Sequence, residues 1–347
     1  MSAINFEKPD RIPVWDNYIG KFADNWRKFK GFNADINPAD YYGIDIAVLL
    51  GDEGFFPSAA VPPFLYGEYL CWRDSWGRDA RTPIDNPQFT GYTNNLLEDT
   101  SKLDDLVFEP ASLESRYVDL PKAISAAKAS DKCVFAKIGG LYIRSHQLRD
   151  EEKLLMHMAL DEPFCDALFD RVMDHLTNVA LETLSRTDSW DTGLFIYDDM
   201  AYITMPMFSP AMFERHFLPR YSRMISIFKD AGCKHVFLHS DGNIGPLLDL
   251  LLEAGFEGFN PLEPRCGLDL FKLREKYGSR MAFFGGVCNT QILPRGNKNE
   301  IETHIRPLIE LGREGGVILG QASISDDVAP EAYDFYMSLI KKYGTYT

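Results

Sequence analysis

Eight short runs of nearly uninterrupted apolar residues, spaced by stretches that read as helix, constrain this chain more than any other feature. They lie at residues 12–16 (IPVWD), 44–50 (IDIAVLL), 133–138 (CVFAKI), 193–198 (GLFIYD), 235–239 (HVFLH), 255–260 (GFEGFN), 281–285 (MAFFG) and 316–320 (GVILG). A run that is apolar throughout, rather than alternating, predicts a strand buried on both faces, as in a parallel sheet under helices. The segments SPAMFERHFLPRYSRMISIFKDAG, GPLLDLLLEAG, GLDLFKLREKYG and NEIETHIRPLIELGREGG carry apolar residues three and four apart. They close on Gly232, Gly255, Gly278 and Gly315, the residue type favoured just past a helix end. Eight strands with crossover helices are the arithmetic of an α/β (β/α)8 TIM barrel, with a doubly wound open sheet as the alternative.

The spacing of the runs is uneven. Roughly 80 residues separate the second from the third, around EGFFPSAAVPPFLYGEYLCWRDSWGRD. A connection this long predicts an insertion or lid over residues 52–130, rich in aromatics (Phe55, Phe56, Phe64, Tyr66, Trp72, Trp76). No repeat, low-complexity stretch or interdomain linker divides the rest, so residues 1–347 are expected to form a single barrel domain.

Charge and composition narrow the function. With 36 Lys+Arg against 51 Asp+Glu, the net charge of −15 argues against a nucleic-acid partner, which needs a basic footprint. No apolar run reaches the ~18 residues of a membrane span, and MSAINFEKPDRIPVWD lacks the apolar core of a signal peptide. Six scattered cysteines without a CxxC pair point to a reducing, cytoplasmic setting. No GxGxxG or P-loop is present to support nucleotide binding.

In a barrel the chemistry sits where strands end at their C-terminal side, so the strand ends form a candidate site. His239 in HVFLHSDGNI is the first candidate, since an imidazole serves as acid, base or ligand near neutral pH. Asp241 is placed to share a metal with it, and Cys288 in FFGGVCNTQIL is a third candidate ligand. Asp198 and Asp199 after GLFIY are candidate catalytic carboxylates. Trp15, Asp16, Tyr18, Tyr142, Tyr202, Asn260 and Gln321 are candidate substrate contacts. Each type has a plainer use: a histidine bonding a carbonyl, an aspartate ending a strand in an Asx turn, a cysteine packing as a small hydrophobe.

Taken in order, KPDRIPVWD, DSWGR, YDDMAY with SPAMFERHFLPRY, KHVFLHSDGNIGPLLDLLLEAGFEGFNPLE, KYGSRMAFFGGVCNTQIL and GGVILGQASISDDVAPEAYDFYMSLIKKYG resemble the uroporphyrinogen decarboxylase superfamily. That superfamily includes corrinoid-linked methyltransferases, and the resemblance implies the barrel fold. True decarboxylases of the family follow the opening strand with an Arg-rich, RQAGR-like segment that grips substrate carboxylates. Here that stretch reads DNYIGKF. Zinc thiol-methyltransferases of the family carry His-x-Cys on the fifth strand and a cysteine after the eighth. This chain has His239-Ser240-Asp241 and Gly320-Gln321-Ala322-Ser323 instead, with Cys288 where many relatives carry Asp. The remaining likeness is to O-demethylase methyltransferases, which pass a methyl group from a small aromatic ether or methylamine-type donor to a corrinoid protein. It implies a corrinoid cofactor on that partner, zinc as a candidate second cofactor, and a homodimer as a candidate assembly. A lyase acting on a smaller carboxylic acid and a non-catalytic ligand-binding barrel are the alternatives.

Overall fold

In the computed structural model, which describes residues 1–86 and 90–346, every one of the eight runs overlaps a strand. In chain order the strands are β1 (Val14–Tyr18), β2 (Ile46–Leu49), β3 (Val61–Tyr66), β4 (Tyr69–Arg73), β5 (Asp79–Pro83) and β6 (Gly91–Tyr92). They continue with β7 (Cys133–Gly139), β8 (Leu194–Tyr197), β9 (Val236–His239), β10 (Gly258–Leu262), β11 (Ala282–Gly286) and β12 (Val317–Ile324). Eight of them pair in parallel as one sheet, in the order β1-β12-β11-β10-β9-β8-β7-β2. The sheet curls until its two edge strands meet. There the Asp45 N–H donates to the Val14 carbonyl at 2.9 Å, and the Asp45 carboxylate accepts the Val14 N–H at 2.7 Å and pairs with Arg11. This is the TIM-barrel-like fold that the strand count predicts.

Aromatic rings from strands far apart in the sheet meet inside it. Trp15 of β1 lies 4.9 Å from Phe195 of β8 and 6.1 Å from Phe284 of β11. Phe195 lies 5.1 Å from Phe237 and 5.2 Å from Phe284, and Phe135 of β7 lies 5.5 Å from Phe195. Rings from opposite walls can approach this closely only across the interior, so these five buried side chains form a solid floor. Side chains in a strand alternate faces, so residues two positions beyond the floor also point inward, one layer nearer the mouth. Trp15, expected as a substrate contact, is therefore part of the floor.

The insertion after β2 contains an antiparallel sheet in the order β3-β4-β5-β6. Its root is anchored by fully buried Phe55, stacked on Phe108 at 4.2 Å and edge-on to Trp76 at 5.0 Å. Phe64 and Tyr66 are exposed on β3. Residues 87–89 of the predicted insertion lie outside the described residues. The long helix expected from Ser209 onward is two helices, Pro210–His216 and Leu218–Asp230. Pro219 falls in the first turn of the second, where its missing N–H costs nothing, whereas a continuous helix would clash there. Among the described residues no helix is long and apolar enough to cross a membrane.

Asp16 joins three elements. Its Oδ1 accepts the Gln321 N–H of β12 at 2.7 Å, and its Oδ2 accepts the Tyr333 hydroxyl of helix Pro330–Tyr343 at 2.9 Å. The Tyr18 and Tyr333 hydroxyls are 2.7 Å apart, and Tyr18 stacks on Phe22 at 5.4 Å. Asp16 and Tyr18, both expected to touch substrate, are thus committed to packing β1 against the last helix.

Burial pushes the Asp16 carboxyl from 3.8 up to about 7, against the lowering effect of Tyr333, the Gln321 N–H and Tyr336. A raised folded-state pKa means that the unfolded chain gives up this proton first, so stability is lost as pH rises from ~4 to ~7. The Asp16→Asn variant is expected to lack this loss. In urea unfolding across that window, its stability relative to wild type should rise with pH; a constant difference would contradict the assignment.

Candidate active site

Two residues beyond the floor, β7, β8 and β9 present Lys137, Tyr197 and His239, and β10 presents Asn260 in register with His239. The His239 ring stacks on Tyr197 with centroids 4.0 Å apart and planes within 10°. Its Nδ1 lies 2.6 Å from Asn260 Oδ1. With the amide oxygen accepting, the proton sits on Nδ1 and the neutral ring keeps its lone pair on Nε2. Burial lowers the basicity of His239, while Asp199 and the Asn260 bond act in the opposite direction.

The free Nε2 looks toward two carboxylates. Asp241 Oδ1 is 3.8 Å away, and the Asp241 N–H donates to Asp199 Oδ1 at 3.0 Å. One ligand atom from each of Asp199, His239 and Asp241 falls within 4.8 Å of the others. The Asp241 carboxyl is pushed up to about 7, by loss of hydration first and then by Asp199 and Glu263. With 54% of its side chain still exposed, solvent screening moderates this crowding. Buried Glu263, just beyond β10, accepts the Gly242 N–H at 3.2 Å and that of Arg265 Nε at 3.1 Å. One imidazole and two carboxylates form a donor set that suits a divalent first-row ion and leaves positions open.

Cys288 lies outside this group. Its backbone N–H donates to His304 Nε2 at 3.1 Å, and its sulfur lies 3.8 Å from Thr290 Oγ1. Burial opposes its ionisation, but the N–H groups of Ile292, Thr290 and Gln291 together hold its pKa below the usual thiol value. Asp199, read from sequence as a catalytic carboxylate, is the residue that completes the metal-competent trio.

The neighbouring Asp198 faces the other way. Fully buried, it accepts the N–H groups of Tyr142 at 3.0 Å and Ile143 at 2.7 Å, and the Tyr221 hydroxyl. It thereby caps helix Leu141–Arg149, whose own N-cap is Gly140 and offers no side chain. A side chain at Gly140 would collide with this carboxyl, which accounts for the glycine. Tyr142 is buried beside Phe208 with its hydroxyl on Glu151 at 2.8 Å, away from the trio. Tyr202 is exposed on the loop after β8, and its carbonyl accepts the Asn243 N–H at 2.8 Å. Gln321 is buried next to Asp16 in the β1–β12 ladder, its side-chain amide unpartnered among the described residues. Of the residues read from sequence, the structure gathers His239, Asp199, Asp241 and Asn260. Trp15, Asp16, Tyr18, Tyr142, Asp198 and Cys288 serve elsewhere.

Lys137 is hidden in the sequence, because it lies inside the apolar run CVFAKI. The signal is nonetheless present: a lone charge in a buried strand, in phase with the inward-facing Phe135. Beside it, Glu53 accepts the Gly139 N–H and pairs with Arg144, whose guanidinium lies 4.2 Å above the Trp76 ring.

The two adjacent aspartates predict opposite phenotypes. Asp198→Ala strands three buried donors and should cost about 3 kcal/mol of unfolding free energy. Asp199→Ala should change stability by less than about 1 kcal/mol while abolishing divalent-ion binding. Urea denaturation and metal titration of both variants check this; equal destabilisation would contradict it.

The sequence profile of uroporphyrinogen decarboxylase (URO-D) matches residues 145–343. No functionally curated protein matches the sequence. Among solved structures, a methyltransferase from Methanosarcina mazei superposes with a TM-score of 0.70 at 16% identity, over 99% of this chain and 97% of that one. Dispersin B aligns at 11% identity over 97% of this chain and 99% of its own, with a TM-score of 0.33 that carries no structural argument. The profile spans more than half of the chain and includes β8 to β12, the strands that carry the trio, so the chain belongs to the uroporphyrinogen decarboxylase family.

Proposed function

We propose that this protein is a methyltransferase that takes a methyl group from a small aromatic ether or methylamine-type donor and delivers it to a corrinoid carried by a partner protein. The observation that carries this reading is the convergence of Asp199, His239 and Asp241 at the barrel mouth, with His239 Nε2 3.8 Å from Asp241 Oδ1. The fold shared with the Methanosarcina methyltransferase supports it. When bound, the corrinoid supplies the nucleophile for the methyl carbon. The bond from that carbon to its oxygen or nitrogen breaks, and the electron pair stays on the departing atom. The task of this chain is to hold the donor in line and to stabilise the developing charge.

The residues at the mouth match that task. Tyr197 fixes the imidazole plane and Asn260 fixes its tautomer, so Nε2 acts from a set position. Asp199, His239 Nε2 and Asp241 would hold a divalent ion, zinc among the candidates, which would supply Lewis acidity toward the departing atom. A lyase acting on a small acid would need guanidinium groups converging on the site. Instead Arg73 pairs with Asp79, Arg78 with Asp74 and Arg144 with Glu53. Six free thiols suit a cytoplasmic setting.

The test is an anaerobic assay that follows loss of cob(I)alamin absorbance with methoxyarenes, methanol and methylamines. One donor class should support methylation, and His239→Ala should lower turnover about 100-fold or more. Full turnover in that variant would contradict the roles assigned, and ligand binding without turnover, unaffected by His239→Ala, would favour the non-catalytic alternative.

A further inference from the structure

Among the described residues, Lys137 is a half-buried lysine of the inward-facing row that makes no close ion pair, with Glu53 and Asp199 acting on its charge only from a distance. Its Nζ lies 4.2 Å from the centroid of the Tyr197 ring, and among the described residues it makes no hydrogen bond or ion pair. Both nearby carboxylates are engaged. Glu53 holds Arg144 and the Gly139 N–H, while Asp199 accepts the Asp241 N–H and faces His239. Burial lowers the Lys137 pKa, as expected for an ammonium taken partly out of water, with Glu53 and Asp199 opposing and Arg144 adding to the shift. Buried charges are ordinarily paired, because an unpaired one forfeits hydration without return. An unpaired lysine at a barrel mouth therefore favours an anion beside it.

The layout says where that anion belongs relative to the chemistry. Strands β7 and β9 flank β8 on opposite sides, and Lys137 and His239 both lie against the Tyr197 ring. The ammonium is thus about 8 Å or less from the centre of the imidazole. Beyond His239 the surface turns acidic, with Asp199, Asp241 and Glu263. The mouth therefore has a cationic pole on β7 and an anionic pole on β8 to β10. A donor bearing a negative charge at one end and its methyl group at the other would be oriented by both poles at once.

Building on the proposed function, we infer that Lys137 is a specificity-determining residue that binds an anionic substituent of the methyl donor, a carboxylate on an aromatic ring, and turns its methyl-bearing end toward His239. Cationic methylamines are disfavoured at this position by the same charge.

Binding tests this without requiring turnover. Calorimetric titration would compare 4-methoxybenzoate with neutral 4-methoxybenzamide on wild type, Lys137→Met and Lys137→Arg. Wild type should prefer the benzoate by roughly 10-fold or more, Lys137→Met should lose that preference, and Lys137→Arg should restore most of it. Equal binding of the two ligands, a preference that survives in Lys137→Met, or no binding of either would overturn the inference. The two proposals fail separately. Methyl transfer from neutral or cationic donors without a benzoate preference would leave the function standing and remove the role of Lys137. A Lys137-dependent benzoate preference in a protein that transfers no methyl group would do the reverse.

Discussion

The mouth of this barrel depends on one hydrogen bond, from His239 Nδ1 to the Asn260 side chain. If the ring carried its proton on the other nitrogen, no lone pair would face Asp199 and Asp241, and the three groups could not share an ion. The bond forms because His239 and Asn260 occupy matching positions on adjacent parallel strands, with Tyr197 in the next matching position. Register in a parallel sheet is set by a ladder of backbone bonds and by burial of the residues below. The aromatic floor of Trp15, Phe135, Phe195, Phe237 and Phe284 therefore fixes the height of the site as well as filling the barrel.

Carboxylates of the same type serve opposite purposes here, and strand geometry assigns them. Asp198 and Asp199 are consecutive, so one turns outward to the helix that follows β7 and the other turns into the mouth. Asp16, at the end of β1, takes the outward role for the C-terminal helix. The outward pair are buried and fully hydrogen-bonded, with pKa values pushed up to about 7 for Asp16 and about 6 for Asp198, chiefly by burial. Burying these two carboxyls is a cost to the fold that holds its strand ends in place, which is the condition for a precise site on loops.

Much of this is legible in the sequence. Nearly continuous apolar runs mark all eight barrel strands, because strands covered on both faces have few polar positions to disguise them. That His239, Asp199, Asp241 and Asn260 come together follows from their places at the strand C-termini. What fails is the direction of individual side chains. Trp15, Asp16, Tyr142 and Asp198 are also strand-end residues, but one points to the floor and three point under helices, a distinction that needs the phase of each strand. Cys288 follows β11 yet bonds toward His304 rather than the barrel axis. Lys137 is hidden for the converse reason. It stands inside β7 between fully buried Ala136 and Ile138, and only its phase with Phe135 points it to the mouth.

A zinc ion at this mouth would be held by nitrogen and oxygen donors alone, where zinc thiol-methyltransferases of the wider superfamily use cysteine. X-ray absorption on the zinc-loaded protein tests this most directly. The expected result is a shell of nitrogen and oxygen neighbours at about 2.0–2.2 Å, lost in His239→Ala. A sulfur shell at about 2.3 Å, or zinc held unchanged by the variant, would contradict it.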